Sequence, residues 1–122
     1  MSVIDEYEDY EDFDETELEE AQILPGEEQL AKDRTYLPEV QYYMRTYAQS
    51  LGNNDKKAAT VFKQYESMER VRRLQNELQN IKDGRASDNI CNQLMGKKRK
   101  SKHKTYEHWA ELMLLWINSA QR

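Results

Sequence analysis

Residues 55–82 read DKKAATVFKQYESMERVRRLQNELQNIK. Ala58, Val61 with Phe62, Tyr65, Met68, Val71, Leu74, Leu78 and Ile81 recur three and four positions apart, the spacing that lines one face of an α-helix. The last four follow a 3-4-3 rhythm, as in a coiled-coil seam. The rhythm breaks between Met68 and Val71, which argues against a long regular coiled coil. Asn53, Asn54 or Asp55 supplies an N-cap, and Asp83-Gly84 supplies the stop. The stretch predicts one helix over 55–82, the longest in the chain.

The flanking sequence is punctuated in the same way. Pro38 suits the first turn of a helix, where its missing N–H costs nothing. Leu37, Val40, Met44, Tyr47 with Ala48, and Leu51 then share a face, and Gly52 closes a helix over 38–51. Ser87 or Asp88 opens a short helix over 88–95, carrying Ile90, Cys91, Leu94 and Met95 and closed by Gly96. Thr105 opens the last helix, 105–120, where Tyr106, Trp109, Met113, Trp116 and Ile117 make one apolar face and Leu112, Leu114 and Leu115 widen it. A helix apolar over most of its circumference is buried on most sides. No alternating run of β-branched residues reads as a strand. The expectation is an all-α fold: a small antiparallel helical hairpin or bundle, built on the long central helix and the apolar C-terminal helix.

Composition adds two expectations. Leu, Ile, Val and Phe make up 22 of the 122 residues, below the level of about 20% at which chains begin to look disordered. A core is possible but marginal, so some burial on the C-terminal helix is expected to come from a partner or a second copy. Charge is also divided. Residues 1–20 hold eleven Asp and Glu and no Lys or Arg, while the other 102 hold 18 bases and 12 acids. The chain therefore reads as a disordered acidic arm, 1–24, joined to a helical body, 25–122. An arm of such like charge repels itself and buries too little surface to fold alone.

No apolar run is long enough to span a membrane. Met1 to Asp5 has neither a basic nor an apolar leader region. Cys91, the single cysteine, forms no internal disulfide. These features predict an intracellular, reducing environment with no membrane contact.

Four constellations bear on function. Lys97-Lys98-Arg99-Lys100 opens a run, completed by Lys102, His103 and Lys104, that reads as a solvated loop over 97–104. The four bases resemble a simple monopartite nuclear-import signal, a type read by acidic, tryptophan-lined grooves of the import receptor. The same run suits phosphate contact, with binding that weakens as salt rises, and Arg70, Arg72 and Arg73 extend it. In the arm, Asp5-Glu6-Tyr7, Asp9-Tyr10 and Asp12-Phe13-Asp14 resemble the acid-plus-aromatic segments of histone chaperones and of activation segments that bind coactivators. That resemblance implies that rings fill shallow pockets while carboxylates cover a basic surface. Asp88, Cys91, His103 and His108 mimic zinc-finger spacing, but Asp replaces the first thiolate of a two-Cys, two-His set. They read as a buried helical cysteine and surface histidines, with no metal and no cofactor. No Gly-rich phosphate loop or nucleophile context is present, and Glu66, Glu69 and Glu77 read as helix-surface partners of Arg70 and Arg73. The chain is therefore not expected to be an enzyme.

Taken together, these features describe a small adaptor or subunit of a larger nuclear assembly. It would dock a protein partner through Trp109, Met113, Trp116 and Ile117, a stripe that also reads as the chain's own core, and engage a basic surface, histone being the sharpest guess, through the arm. The alternatives are a nucleic-acid-binding accessory protein acting through 97–104, and a cytoplasmic coiled-coil assembly factor.

Overall fold

The computed structural model describes residues 30–121. The chain divides between Ala31 and Lys32, and everything below belongs to the second unit. The acidic arm, 1–24, with Tyr7, Asp9, Tyr10, Asp12, Phe13 and Asp14, lies outside the described residues, as do residues 25–29.

The fold is all-α. The elements are α1 (Pro38–Tyr43), running on through a π-turn (Met44–Ala48) and a 3-10 turn (Gln49–Leu51), then α2 (Asp55–Tyr65), α3 (Met68–Lys82), α4 (Asp88–Met95), α5 (Lys98–His103) and α6 (Tyr106–Ser119). No strand occurs among the described residues, and none of their helices is long and apolar enough to cross a membrane. Most helix starts are those the sequence marks. Asn54, Ser67, Ser87 and Thr105 accept hydrogen bonds from the N–H groups of Lys57, Arg70, Ile90 and His108 at 3.0–3.2 Å. Each satisfies a backbone donor with no partner inside the helix. Gly52, at φ 65°, closes the first helical segment in the left-handed region, where glycine has no Cβ penalty.

α6 is the hub. It packs most extensively on α3 and also on α2 and α5. Gln75 Nε2 in mid-α3 donates to Asn118 Oδ1 near the end of α6 at 2.8 Å, while Gly84, just past α3, lies beside Glu107 at the start of α6. α3 and α6 are therefore antiparallel. Asp55 at the start of α2 reaches Trp109, and Lys63 near its end donates to the Ile117 carbonyl at 2.8 Å, so α2 and α6 run the same way. The core holds Phe62, Val71, Leu74, Leu78, Ile81, Trp109, Met113 and Ile117, all at most 1% exposed, together with Val40 and Tyr43 of α1.

The helix expected over 55–82 is two helices. It breaks at Glu66 and Ser67, both extended, at ψ 160° and 153°. The break lets α2 and α3 lie in opposite directions on the same helix, so one apolar stripe becomes two. Tyr65 and Met68, placed on the stripe by their spacing, sit at the corner and are 78% and 45% exposed. The break is held by Glu66 itself, which accepts from the hydroxyls of Tyr42 and Tyr47. It also faces Arg70 Nε at 3.8 Å. Burial pushes the Glu66 carboxyl up, yet the two hydroxyls and the Arg70 charge hold it below its ordinary value.

α1 has no side-chain cap of its own. Glu77 of α3 supplies one across the core, accepting from the N–H groups of Glu39 at 3.1 Å and Val40 at 2.9 Å. Glu77 is therefore not a surface partner of Arg73. Burial, the largest influence on it, raises its carboxyl above the ordinary value.

Candidate nucleic-acid interface

The basic run is not a loop. Lys98–His103 forms α5. Six residues do not hold a helix in isolation, and lysines four apart repel. What fixes the turn is its inner face. Cys91, Met95, Arg99 and His103 recur every fourth residue, and all four are buried. α4 and α5 each turn two of these residues inward, on either side of the stop at Gly96. The bases in the last turn complement the helix dipole. Lys104, at φ 74°, then turns the chain sharply into α6.

Arg99 is the anchor. Its Nε and Nη2 donate to Asp55 Oδ2 and Oδ1 at 2.8 and 3.0 Å. Nη1 reaches the Met95 carbonyl at 3.2 Å, and Nη2 also reaches Asn53 Oδ1 at 3.3 Å. Asp55 is saturated in turn. Tyr43 donates to Oδ1 at 2.7 Å, and the Trp109 indole N–H donates to Oδ2 at 2.8 Å. Burial alone would push the Asp55 carboxyl up, but hydrogen bonds from Arg99, Tyr43 and Trp109 and the Arg99 charge hold it below its ordinary value. This bidentate pair ties the start of α2 to α5, α1 and α6 at one point. A charged pair tolerates burial only when geometry and additional hydrogen bonds are this complete.

With Arg99 turned inward, the lysines turn outward. Lys97, Lys98, Lys102 and Lys104 are exposed and pair with no carboxylate among the described residues. Lys100 pairs with Asp88. Around them, residues 32–121 hold 17 Lys and Arg against 10 Asp and Glu. Arg70 and Arg73, expected to extend the basic surface, are spent elsewhere. Arg73 donates to Glu39 at 2.9 Å and lies 3.1 Å from Glu69, while Arg70 lies over the Tyr42 ring at 4.0 Å and 3.6 Å from Glu39. Arg72 alone of the three is exposed without an ion pair among the described residues.

The other expected sites separate clearly. Tyr106, Trp109, Met113 and Ile117 are at most 1% exposed, so the face proposed for a partner is the protein's own core. Trp116 is half-buried, and Leu115 is the exposed apolar residue of α6. Tyr106 donates to Asn92 and to the Gly96 carbonyl, closing α4 onto α6. Cys91 is fully buried, and burial pushes its thiol up to about 12, so it is no nucleophile at neutral pH. Asp88 is occupied by Lys100, and the His103 and His108 rings stand 6.3 Å apart. Among the described residues no group of three or more His, Cys, Asp or Glu side chains is placed to hold a metal ion.

The sequence did carry a signal for the buried role of Arg99. Arg99 and His103 stand four apart, the spacing of one helical face, and a reading of 97–104 by charge alone passes over it. Comparison with protein-family models, curated proteins and solved structures finds no match to this chain.

Proposed function

We propose that this chain is a small, non-enzymatic helical module that binds nucleic acid through the lysines of α5. One observation carries the reading: a six-residue helix, locked from beneath by Arg99 and Asp55, presents Lys98 and Lys102 to solvent, with Lys97 and Lys104 exposed at its two ends, all four without carboxylate partners among the described residues. Fixed lysines lose less freedom on meeting a phosphate than lysines on a solvated loop. The cationic excess of the unit supplies long-range attraction.

The same geometry weighs against import as the role of this run. A receptor groove that must surround four consecutive basic side chains cannot reach Arg99 while it is held against Asp55. It also weighs against docking through Tyr106, Trp109, Met113 and Ile117, which are already enclosed. A role for the arm on a basic protein such as histone stands on the sequence resemblance alone. Nuclear placement goes with either reading and is checked by imaging a tagged chain.

The test is binding of the full chain to a labelled oligonucleotide over a salt series. Affinity should fall with a log–log slope of about −0.7 per phosphate contact on a single strand, and replacing Lys97, Lys98, Lys102 and Lys104 by Ala should remove most of that slope. An affinity indifferent to salt, or unchanged in the quadruple variant, would sink the reading.

A further inference from the structure

The lysines of α5 do not stand on a flat surface. Lys97, Lys98 and Lys102 edge a cleft of about 690 Å³, within the range of roughly 300–1,000 Å³ common to small-molecule sites. Its apolar wall comes from Met44, Leu94 and Met95, of which Met44 and Met95 are buried and Leu94 half-buried. Methionine is flexible and polarizable and adapts to flat, varied surfaces. Two exposed amides, Gln49 and Asn53, complete the rim. Asn53 Oδ1 is used by Arg99, which leaves its amide N–H groups for an acceptor. Asp55 is the single carboxylate lining the cleft, and both its oxygens are taken by Arg99, Tyr43 and Trp109. An anion entering the cleft therefore meets no free negative charge. A second cleft of about 600 Å³ is lined by Asn92, Lys97, Lys100, Ser101 and Lys104, with no apolar side chain. Lys97 borders both.

We infer that the first cleft takes one unstacked nucleobase of a single-stranded nucleic acid, while the adjoining backbone crosses Lys97 toward the second cleft; this rests on the nucleic-acid reading above. Cations lie at the rim and apolar side chains on the wall, so the matching ligand has an anionic edge and a flat, weakly polar body. A nucleotide within a strand has both. Bases removed from a stack are commonly held between apolar or aromatic side chains and read by hydrogen bonds to their edges, roles open here to the Met and Leu wall and to the two amides. The second cleft is lined by lysines, an amide and a hydroxyl, with no apolar side chain, which suits sugar and phosphate. A duplex keeps its bases stacked, so it would use the lysines and leave the apolar wall empty.

The test compares a single strand with the duplex of the same sequence, using the full chain and an oligonucleotide carrying the fluorescent base 2-aminopurine. The single strand should bind about tenfold or more tighter, about 1.4 kcal/mol, which burying about 60 Å² of apolar surface contributes, and 2-aminopurine emission should rise on binding as the base leaves its stack. Leu94→Gln should make the wall polar, abolish both effects and leave duplex affinity in place. Gln49→Ala removes an amide from the rim at an exposed position, should lower the single-strand preference, and keeps the test open if the first variant does not fold. Equal affinity for single strand and duplex with a normal salt slope overturns the base-binding inference and leaves the nucleic-acid reading standing. No binding to either form at low salt overturns both. A free nucleoside monophosphate that competes as well as the oligonucleotide overturns the assignment to a strand.

Discussion

α5 and α6 follow one another in the chain and pack against one another, yet they use their side chains in opposite directions. α6 carries two tryptophans and a run of leucines and turns its best anchors inward, with Trp109, Met113 and Ile117 fully enclosed. α5 is almost entirely basic and turns most of its charge outward, keeping one arginine as its root. The difference teaches that an apolar face in a small chain is first claimed by the chain's own core. A charged helix, by contrast, can keep its lysines outward when a buried ion pair and a buried histidine hold its inner face.

The comparison breaks most violently at Trp109. Trp109→Ala empties the centre of α6 and strips a donor from Asp55. Core aromatic-to-alanine changes cost about 3–5 kcal/mol, a large share of the roughly 5–15 kcal/mol that holds a domain together. Urea unfolding should show a collapsed midpoint, and a midpoint near wild type would show that the indole is not the keystone.

Next comes the root of α5. Arg99→Met leaves the Asp55 carboxylate buried with two neutral donors and should cost about 3 kcal/mol, the low end for breaking a buried pair. Removing both charges, as Arg99→Met with Asp55→Asn, should recover much of the loss in a double-mutant cycle. If the single variant unfolds at the wild-type urea concentration, the anchor does not hold α5.

The outward face should behave in the opposite way. Lys98→Ala and Lys102→Ala should each change stability by no more than about 0.5 kcal/mol, as exposed substitutions do. Each should also lower the salt slope of single-strand binding by about 0.7. A fall in stability without a change in slope would place these lysines with Arg99 rather than with a ligand.

How much of this was legible depends on which interaction decides each element. The helical fold was readable because capping residues and apolar spacing are local, and Thr105, Ser87 and Asn54 act where they stand. The break at Glu66 was not, because it is held by Tyr42 and Tyr47, some twenty residues away in sequence. Glu77 likewise caps a helix 37 residues upstream. The basic run misled because composition speaks for its majority. Five lysines suggested solvent, while the two residues that decide its structure, Arg99 and His103, are the ones facing inward. The C-terminal helix left two readings open, own core and partner face, because its apolar count was set against a core judged marginal. The tyrosines supplied the difference, with Tyr43 and Tyr106 buried and each given a hydrogen-bond partner for its hydroxyl.

The gentlest test of the inward face of α5 is its histidine. His103 is 9% exposed. Burial is the main influence and, with Lys102, His108 and Arg99 nearby, it lowers the imidazole below its ordinary value of 6.5, against an opposing pull from Asp55. Above pH 6.5 the ring is neutral in both folded and unfolded chains, so it costs nothing. As pH falls below 6.5 the unfolded chain takes up a proton that the folded chain still refuses, and stability drops with it. The drop stops growing once pH passes the lower folded value. Urea midpoints measured at pH 7.5 and 5.5 should therefore separate further in the wild type than in His103→Gln. Asp55 titrates below this window, and any contribution from Glu77 is common to both proteins, so the difference between them isolates His103. Equal separations in the two would mean that the ring already takes its proton from solvent as freely as an exposed histidine, and that the inward row of α5 ends at Arg99.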